Sequence, residues 1–208
     1  MAAGEDRLIA YFGYGSLVNL ATLKTSYVDA TPAVLKGWRR HWQARPGDGV
    51  PERALLSIHR DAGCEIGGMV VIDRASSLPS LDLREMHYER VPVAIGDLAV
   101  LDGTAAAMIA ELPEQDRFVY VGRPMPPGLP PLLQSYLHTV MDGFLSAHGE
   151  AGLAAFLDTT HGFERAMLAD ADAPFYTRMT AISKARRRRF DDLLVARGVR
   201  ITQRADFA

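Results

Sequence analysis

The first residues suited to chemistry form a glycine-rich turn after an apolar run. Residues 8–12 predict a buried strand, and Gly13-Tyr14-Gly15-Ser16-Leu17 follows it. Glycine reaches positive φ and has no Cβ, so such a turn can bring several backbone N–H groups close to an anion. The spacing is not Gly-x-Gly-x-x-Gly, and no Gly-Lys-Ser/Thr follows, which argues against dinucleotide and P-loop sites. An anion-binding turn and an ordinary β-turn both fit this string.

The second candidate is an acid with apolar neighbours. Glu85 lies between Leu83 and Met86, and a partly dry site would raise its carboxyl pKa toward neutrality. Such a carboxyl group is suited to accepting and returning a proton. The alternative is a solvated charged face, in which Glu85 forms local ion pairs with Arg84 or Arg90.

Composition narrows the function classes. The 208 residues are 48% hydrophobic and 23% charged, with a formal net charge of −2, which argues against a dedicated nucleic-acid binder. We find neither a long apolar run nor a signal peptide, and therefore expect no membrane span. The single Cys64 suits a reducing, cytoplasmic location. The scattered histidines lack metal-ligand spacing, so we expect proton-transfer chemistry without a metal or other cofactor.

One basic segment remains a candidate for nucleic-acid binding. Residues 184–189 read Lys-Ala-Arg-Arg-Arg-Arg. On a helix, four consecutive arginines spread over about 300°, at about 100° per residue. The segment therefore favours a solvated helix face over a single docking surface. Attraction of an anionic substrate is a further interpretation.

The elements that must position the turn and the acid are mainly strands. Gly, Asp and Pro separate short apolar runs, a spacing that favours a mixed sheet or small barrel over regular βαβ alternation. A short helix is predicted from residue 20 to about 26, with Asn19 as its N-cap, and another over residues 76–86. The predicted strands cover residues 8–12, 33–42, 53–59, 65–73, 88–95, 98–101, 106–109 and 117–121.

After Gly122 the pattern becomes helical. A proline-rich connector covers residues 123–131, and a 3.6-residue apolar stripe then predicts a helix that closes at His148-Gly149. Further helices are predicted over residues 150–157 and about 174–197. The whole pattern predicts a single α+β domain over residues 1–208. It comprises a catalytic core over about 8–121, with flanking helices around a small mixed barrel or sheet, and a helical carboxyl-terminal extension over about 124–208.

Four motifs occur in order in the first half of the chain. They are Phe-Gly-Tyr-Gly-Ser-Leu (12–17), Gly-Trp-Arg-Arg-x-Trp (37–42), Gly-Gly-Met-Val-Val-Ile (67–72) and Leu-Asp-x-Arg-Glu-x-x-Tyr (81–88). Their order and separations resemble the γ-glutamylcyclotransferase superfamily over residues 8–121. Leu17 is closer to the ChaC-like and AIG2-like branches, and Met86 replaces the more common Gly or Ala.

This resemblance implies both a reaction and a set of site residues. The α-amine of a γ-glutamyl amide would attack its own γ-carbonyl group, releasing 5-oxoproline and an amine without a cofactor. Glu85 corresponds to the catalytic glutamate of the family, and Tyr120 to a tyrosine that lines the pocket. The backbone of the turn would hold the amino-acid end of this small-molecule substrate, through Gly13, Tyr14, Gly15, Ser16 and Leu17. Glutathione, γ-glutamyl amino acids and γ-glutamyl-amines differ only in the leaving group, which the motifs do not specify.

Two other functions remain open at this point. A serine hydrolase could use Ser16, but the turn lacks the Gly-x-Ser-x-Gly sequence of a nucleophile elbow. A non-catalytic module on the same scaffold could bind an amino-acid-like ligand or a partner. That interpretation would be favoured if Glu85 were exposed and directed away from the turn.

Overall fold

The fold is built around a ten-stranded mixed sheet with helices beside it. The computed structural model describes residues 6–24, 26–45, 52–125 and 128–203. The main path of the sheet runs β10-β9-β7-β3-β1-β6-β4, and β2 joins it through β3 while also pairing with β5 and β8. The strands are β1 (Leu8–Gly13), β2 (Asp29–Arg45), β3 (Arg53–Arg74), β4 (Tyr88–Pro92), β5 (Leu98–Val100), β6 (Arg117–Gly122), β7 (Leu132–Leu133), β8 (Thr160–His161), β9 (Met167–Leu168) and β10 (Ile201–Thr202). The helices are α1 (Leu78–Arg84), α2 (Gly103–Ala110), α3 (Gln134–Asp158) and α4 (Lys184–Val195).

Strand β1 lies in the interior of the sheet. It pairs antiparallel with β3 and parallel with β6, and its residues from Ile9 to Phe12 are buried. A strand that is covered on both faces needs a continuous apolar run, which is what this segment provides. The glycine turn therefore begins where a buried strand ends, and the expected mixed sheet is confirmed.

The two longest strands form a hairpin. Predicted strands 53–59 and 65–73 are parts of one 22-residue strand, β3, which pairs with the 17-residue β2. The register shifts between Lys36 and Trp38, where Gly37 has φ 76°. The strands therefore continue past residues 60–64, which separate the two predicted strands, with an irregular register at this point.

The predicted strand over residues 106–109 is wrong, because these residues belong to α2. The carboxyl group of Asp102 accepts a hydrogen bond from Ala105 N at 2.8 Å and caps that helix. The sequence after Asp102 is rich in alanine, the residue with the highest helix propensity. We had interpreted Asp102-Gly103 as a turn signal, whereas the aspartate acts as an N-cap.

The predicted long helix over residues 174–197 is also wrong. Only α4, from Lys184 to Val195, is helical, and Ser183 caps it by accepting a hydrogen bond from Arg186 N at 3.3 Å. The preceding residues follow an irregular path. The helix predicted after Asn19 is likewise reduced to a single 3-10 turn, Leu20–Thr22, which Asn19 does cap.

The break that was predicted at His148-Gly149 is confirmed. Gly149 has φ 65° inside α3 and divides it into two helical pieces. The buried face of α3 follows the predicted apolar stripe and includes Tyr136, Leu137 and Val140. The carboxyl-terminal third is not purely helical, because four two-residue strands from it, β7 to β10, join the sheet.

Buried Arg40 connects the carboxyl-terminal part of the chain to β2. Its guanidinium group donates hydrogen bonds to Gly67 O and Thr159 Oγ1, both at 2.7 Å. It also lies 5.0 Å and 5.1 Å from the ring centroids of Phe144 and Phe156 on α3. Burial lowers the pKa of Arg40 to about 9, which still leaves the group charged at neutral pH.

The arginine run on α4 spreads in several directions, as predicted. Arg186 pairs with Asp142 at 2.5 Å and Arg187 with Asp172 at 3.0 Å, while Arg189 contacts Glu150.

No helix within the described ranges combines the length and apolar character needed to cross a bilayer.

Candidate active site

A cavity lies where the glycine turn, the end of α1 and the neighbouring strands meet. We call it the inner cavity, and its volume is about 30 Å³. The lining includes all of the predicted site residues except Gly13, the last residue of β1. The lining residues are Phe12, Tyr14, Gly15, Ser16, Leu17, Leu56, Glu85, Tyr88, Tyr120 and Tyr136.

The glycines of the turn allow close packing rather than an unusual backbone conformation. Neither Gly13 nor Gly15 has positive φ, so that part of our expectation is wrong. A Cβ on Gly15 would lie 2.9 Å from Tyr136 Oη, and one on Gly13 would lie 2.6 Å from Leu17 Cβ. Both positions are therefore too tight for a side chain.

The turn presents several amide donors. Ser16–Val18 forms a 3-10 turn in which the carbonyl groups of Gly15 and Ser16 accept bonds from Val18 N and Asn19 N. In the described part of the chain, no hydrogen bond outside the helices and strands is donated by the amides of Gly15, Ser16 or Leu17. The first amides of a helical turn have no partner within it. These groups are available to an anionic ligand.

Glu85 lies at the carboxyl end of α1 and is largely buried. Its side chain is 14% exposed, and Arg84 Nε donates a hydrogen bond to Glu85 Oε1 at 3.0 Å. Burial raises the pKa of Glu85, while the positive charges of Arg84 and Arg178 partly offset the rise. The local ion pair with Arg84 is therefore present, but the carboxylate lines a cavity instead of lying on an open charged surface.

Arg84 links the acid to the turn. Its guanidinium group also donates to Ser16 Oγ at 3.3 Å and to Thr22 O at 2.9 Å. The Ser16 side chain is thus bonded to an arginine, which does not resemble a serine paired with a histidine base.

Buried tyrosines form most of the remaining wall. Tyr14 Oη donates to Tyr120 O at 2.6 Å, Tyr120 Oη donates to Asp82 Oδ1 at 2.6 Å, and Tyr88 Oη donates to Leu56 O at 2.8 Å. Burial raises the pKa of Tyr88 to about 12 and that of Tyr14 and Tyr120 as well. The tyrosines are therefore neutral at physiological pH and leave Glu85 as the titrating group of the inner cavity.

The sequence analysis did not predict the residues that the second half of the chain contributes to the cavity walls. Tyr136 lies on the stripe of α3 that predicts a core face, and its ring is 5.0 Å from that of Tyr176. A tyrosine in an otherwise aliphatic stripe is a signal, because its buried hydroxyl group needs a partner. Tyr176 and Arg178 carry no comparable signal, since they lie in an irregular segment.

Two larger cavities open beside Glu85. The first, which we call the Arg178 cavity, has a volume of about 340 Å³ and includes Arg53, Arg84, Tyr176 and Arg178. The second, which we call the Asp82 cavity, has a volume of about 490 Å³. Its lining includes Asp82, Glu85, Glu89, Arg90 and Arg123, and Asp82 pairs with Arg90 at 3.3 Å. No group of three or more metal-ligating side chains is found in the part of the chain that the structure describes.

Comparison with known proteins identifies the fold. No family model matches the sequence, and no curated protein matches it. A solved γ-glutamyl cyclotransferase aligns with a TM-score of 0.54 at 16% identity, covering 91% of this chain and 99% of the other. The Bacillus subtilis protein YkqA aligns with a TM-score of 0.53 at 18% identity, covering 73% of this chain and 54% of YkqA. The chain thus has the γ-glutamylcyclotransferase-like fold, as its motifs predicted, and the roles of its site residues remain predictions.

Proposed function

We propose that this protein is a γ-glutamylcyclotransferase-like enzyme that releases 5-oxoproline from a γ-glutamyl amide. One observation carries the proposal: the largely buried Glu85 lines the same cavity as the amide donors of Gly15, Ser16 and Leu17. The reaction needs donors for the anionic end of the substrate and a group that transfers protons, and the shared cavity supports both roles.

The substrate supplies its own nucleophile. After losing a proton, its α-amine attacks the γ-carbonyl carbon, so that a new C–N bond closes a five-membered lactam. The original γ-amide C–N bond then breaks, and the leaving nitrogen takes up a proton. Glu85 accepts the first proton and returns one to the leaving group, a role that contributes about 10²–10⁴-fold in such reactions. A carboxyl group whose pKa is raised toward neutrality is suited to both steps.

Orientation is the second requirement. The turn amides hold the α-carboxylate, and the tyrosine wall confines the chain in a bent conformation that brings amine and carbonyl together. In well-aligned intramolecular reactions, such orientation accounts for about 7–11 kcal/mol of the barrier. Because the inner cavity alone has a volume of about 30 Å³, close to that of one water molecule, it takes the anionic end of the substrate. The rest of the γ-glutamyl chain extends into the larger cavities beside Glu85.

The test is a direct assay for 5-oxoproline with a panel of γ-glutamyl amino acids, γ-glutamyl-amines and glutathione. We expect turnover of at least one compound, loss of turnover in Glu85→Gln, and normal turnover in the matched control Glu111→Gln, at the exposed residue that caps the carboxyl end of α2. Glutamine keeps the shape and the hydrogen bond from Arg84 but cannot move the proton. Near-normal turnover in Glu85→Gln would overturn the assignment, and ligand binding without product would favour a binding module.

A further inference from the structure

The two cavities beside Glu85 differ in charge. In the Arg178 cavity, the described lining contains one carboxylate, Glu85, together with Arg53, Arg84 and Arg178. The Asp82 cavity contains three carboxylates, Asp82, Glu85 and Glu89, and two arginines, Arg90 and Arg123. Of these two cavities, positive charges outnumber negative ones only in the Arg178 cavity, so that side of Glu85 favours a negatively charged group.

The arginines of the Arg178 cavity are not equivalent. The guanidinium group of Arg84 is already used by Glu85, Ser16 and Thr22. Arg178, in contrast, makes no hydrogen bond or ion pair among the described residues. It lines the Arg178 cavity together with Glu85. The guanidinium group of Arg178 can thus bind a carboxylate through two hydrogen bonds beside the proposed proton-transfer group.

The segment that carries Arg178 is anchored on both sides. Before it, Tyr176 N donates a hydrogen bond to Ser135 Oγ at 3.4 Å, and the Tyr176 ring packs on Tyr136. After it, Thr180 Oγ1 accepts a bond from Asn19 Nδ2 at 3.3 Å, and Thr180 N donates to Thr139 Oγ1 at 3.4 Å. The irregular path that replaces the expected helix therefore holds Arg178 at the cavity wall, which lowers the cost of ordering it on binding.

We propose that the Arg178 cavity is the leaving-group subsite and that Arg178 selects a leaving amine that carries a carboxylate, as an α-amino acid or a peptide does. The inference rests on the proposed function, because it assigns the part of the substrate beyond the reacting amide. In a γ-glutamyl α-amino acid the carboxylate lies one carbon from the leaving nitrogen. With that nitrogen at Glu85, the carboxylate falls in the neighbouring cavity and pairs with the guanidinium group.

Two substrates separate this proposal from its alternatives. γ-Glutamyl-alanine and γ-glutamyl-ethylamide differ only by the carboxylate of the leaving group. Hydrogen bonds to charged groups contribute about 1.5–3 kcal/mol, so we expect kcat/KM of the wild-type protein to be at least about tenfold higher for γ-glutamyl-alanine. Arg178→Met removes most of this preference by raising KM for the alanine compound, while leaving the ethylamide nearly unchanged. Arg178→Lys retains part of the preference, and Arg188→Met, on the exposed side of α4, serves as the matched control.

Each outcome has a definite meaning. The absence of a preference in the wild-type protein, or an equal loss for both substrates in a folded Arg178→Met, would overturn the subsite while leaving the reaction intact. The absence of 5-oxoproline from both compounds and from the wider panel would instead overturn the proposed function, and the subsite with it. The wild-type comparison needs no variant, so it remains decisive if Arg178→Met does not fold.

Discussion

The two halves of the chain contribute different sets of residues to the candidate active site. Residues 8–122 supply the turn, Glu85 and Tyr120, and they carry every motif that sequence analysis could use. Residues 128–203 supply Tyr136, Tyr176 and Arg178, which form walls of the cavities. The comparison teaches that the groups proposed to react and the groups proposed to choose the substrate come from separate segments. Under this proposal, substitutions in the second half would change substrate choice without changing the reaction.

The largest effect should come from the motif-bearing half. Glu85→Gln is expected to lower kcat by about 10²–10⁴-fold, the range for general acid–base catalysis, with little change in substrate affinity. Steady-state kinetics together with calorimetric binding checks this prediction. A large loss of affinity at unchanged kcat would assign Glu85 to binding instead.

The same substitution should stabilise the protein at neutral pH. Burial raises the pKa of Glu85 in the folded state above its ordinary value of 4.5. The unfolded chain therefore releases this proton at lower pH than the folded chain, and stability falls as pH rises from the ordinary value through the raised one. Urea unfolding should show Glu85→Gln more stable than wild type at pH 7, with the difference shrinking toward pH 4. An unchanged difference between these pH values would contradict the raised pKa.

The next-largest effect, on stability, is expected at Arg40, which joins β2 to the second half of the chain. Arg40→Lys keeps the charge but cannot make the bonds to Gly67 O, Thr159 Oγ1 and Thr160 Oγ1 together. We expect a loss of about 2–3 kcal/mol in the free energy of unfolding. The neighbouring Arg39→Lys is the control, because Arg39 pairs with Asp61 at a partly exposed site, where such pairs contribute about 0–1 kcal/mol. Equal losses would show that Arg40 does not couple the halves.

A smaller effect is expected at the contact between the turn and α3. In Gly15→Ala the new methyl group would lie 2.9 Å from Tyr136 Oη, and overpacking of this kind costs about 1–3 kcal/mol. Gly96→Ala is the matched control, since a Cβ at that position meets open space. Thermal unfolding should separate the two variants. If they melt alike, Tyr136 moves freely and does not define the cavity.

The smallest effect should come from Tyr120→Phe. The ring that lines the inner cavity is kept, and only the hydrogen bond from Tyr120 Oη to Asp82 is lost. Asp82 is partly exposed and also pairs with Arg90, so water and Arg90 compensate for part of the loss. We expect destabilisation of about 1 kcal/mol and a change in kcat of less than about tenfold. A larger fall in kcat would mean that the hydroxyl group takes part in the reaction.

Local patterns allowed the main strands and most of the inner cavity to be predicted from sequence. The turn and Glu85 are recognisable because each is encoded by a few consecutive residues. The α2 segment was misassigned because Asp102-Gly103 fits both a turn and a helix cap, and packing decides between them. The position of Arg178 could not be predicted, because the path of its segment depends on contacts of Tyr176 and Thr180 with residues far away in the sequence.

The parallel pairing of β1 with β6 has a consequence for the order of folding. It joins Ala10 to Arg117, whereas the hairpin of β2 and β3 joins strands that are neighbours in the chain. Contacts between distant segments cost more loop entropy and tend to form later. The pocket at the end of β1 therefore closes only after most of the sheet exists. A newly made chain would lack complete cavity walls until residues 136 and 176 had been synthesised, since Tyr136 and Tyr176 belong to those walls.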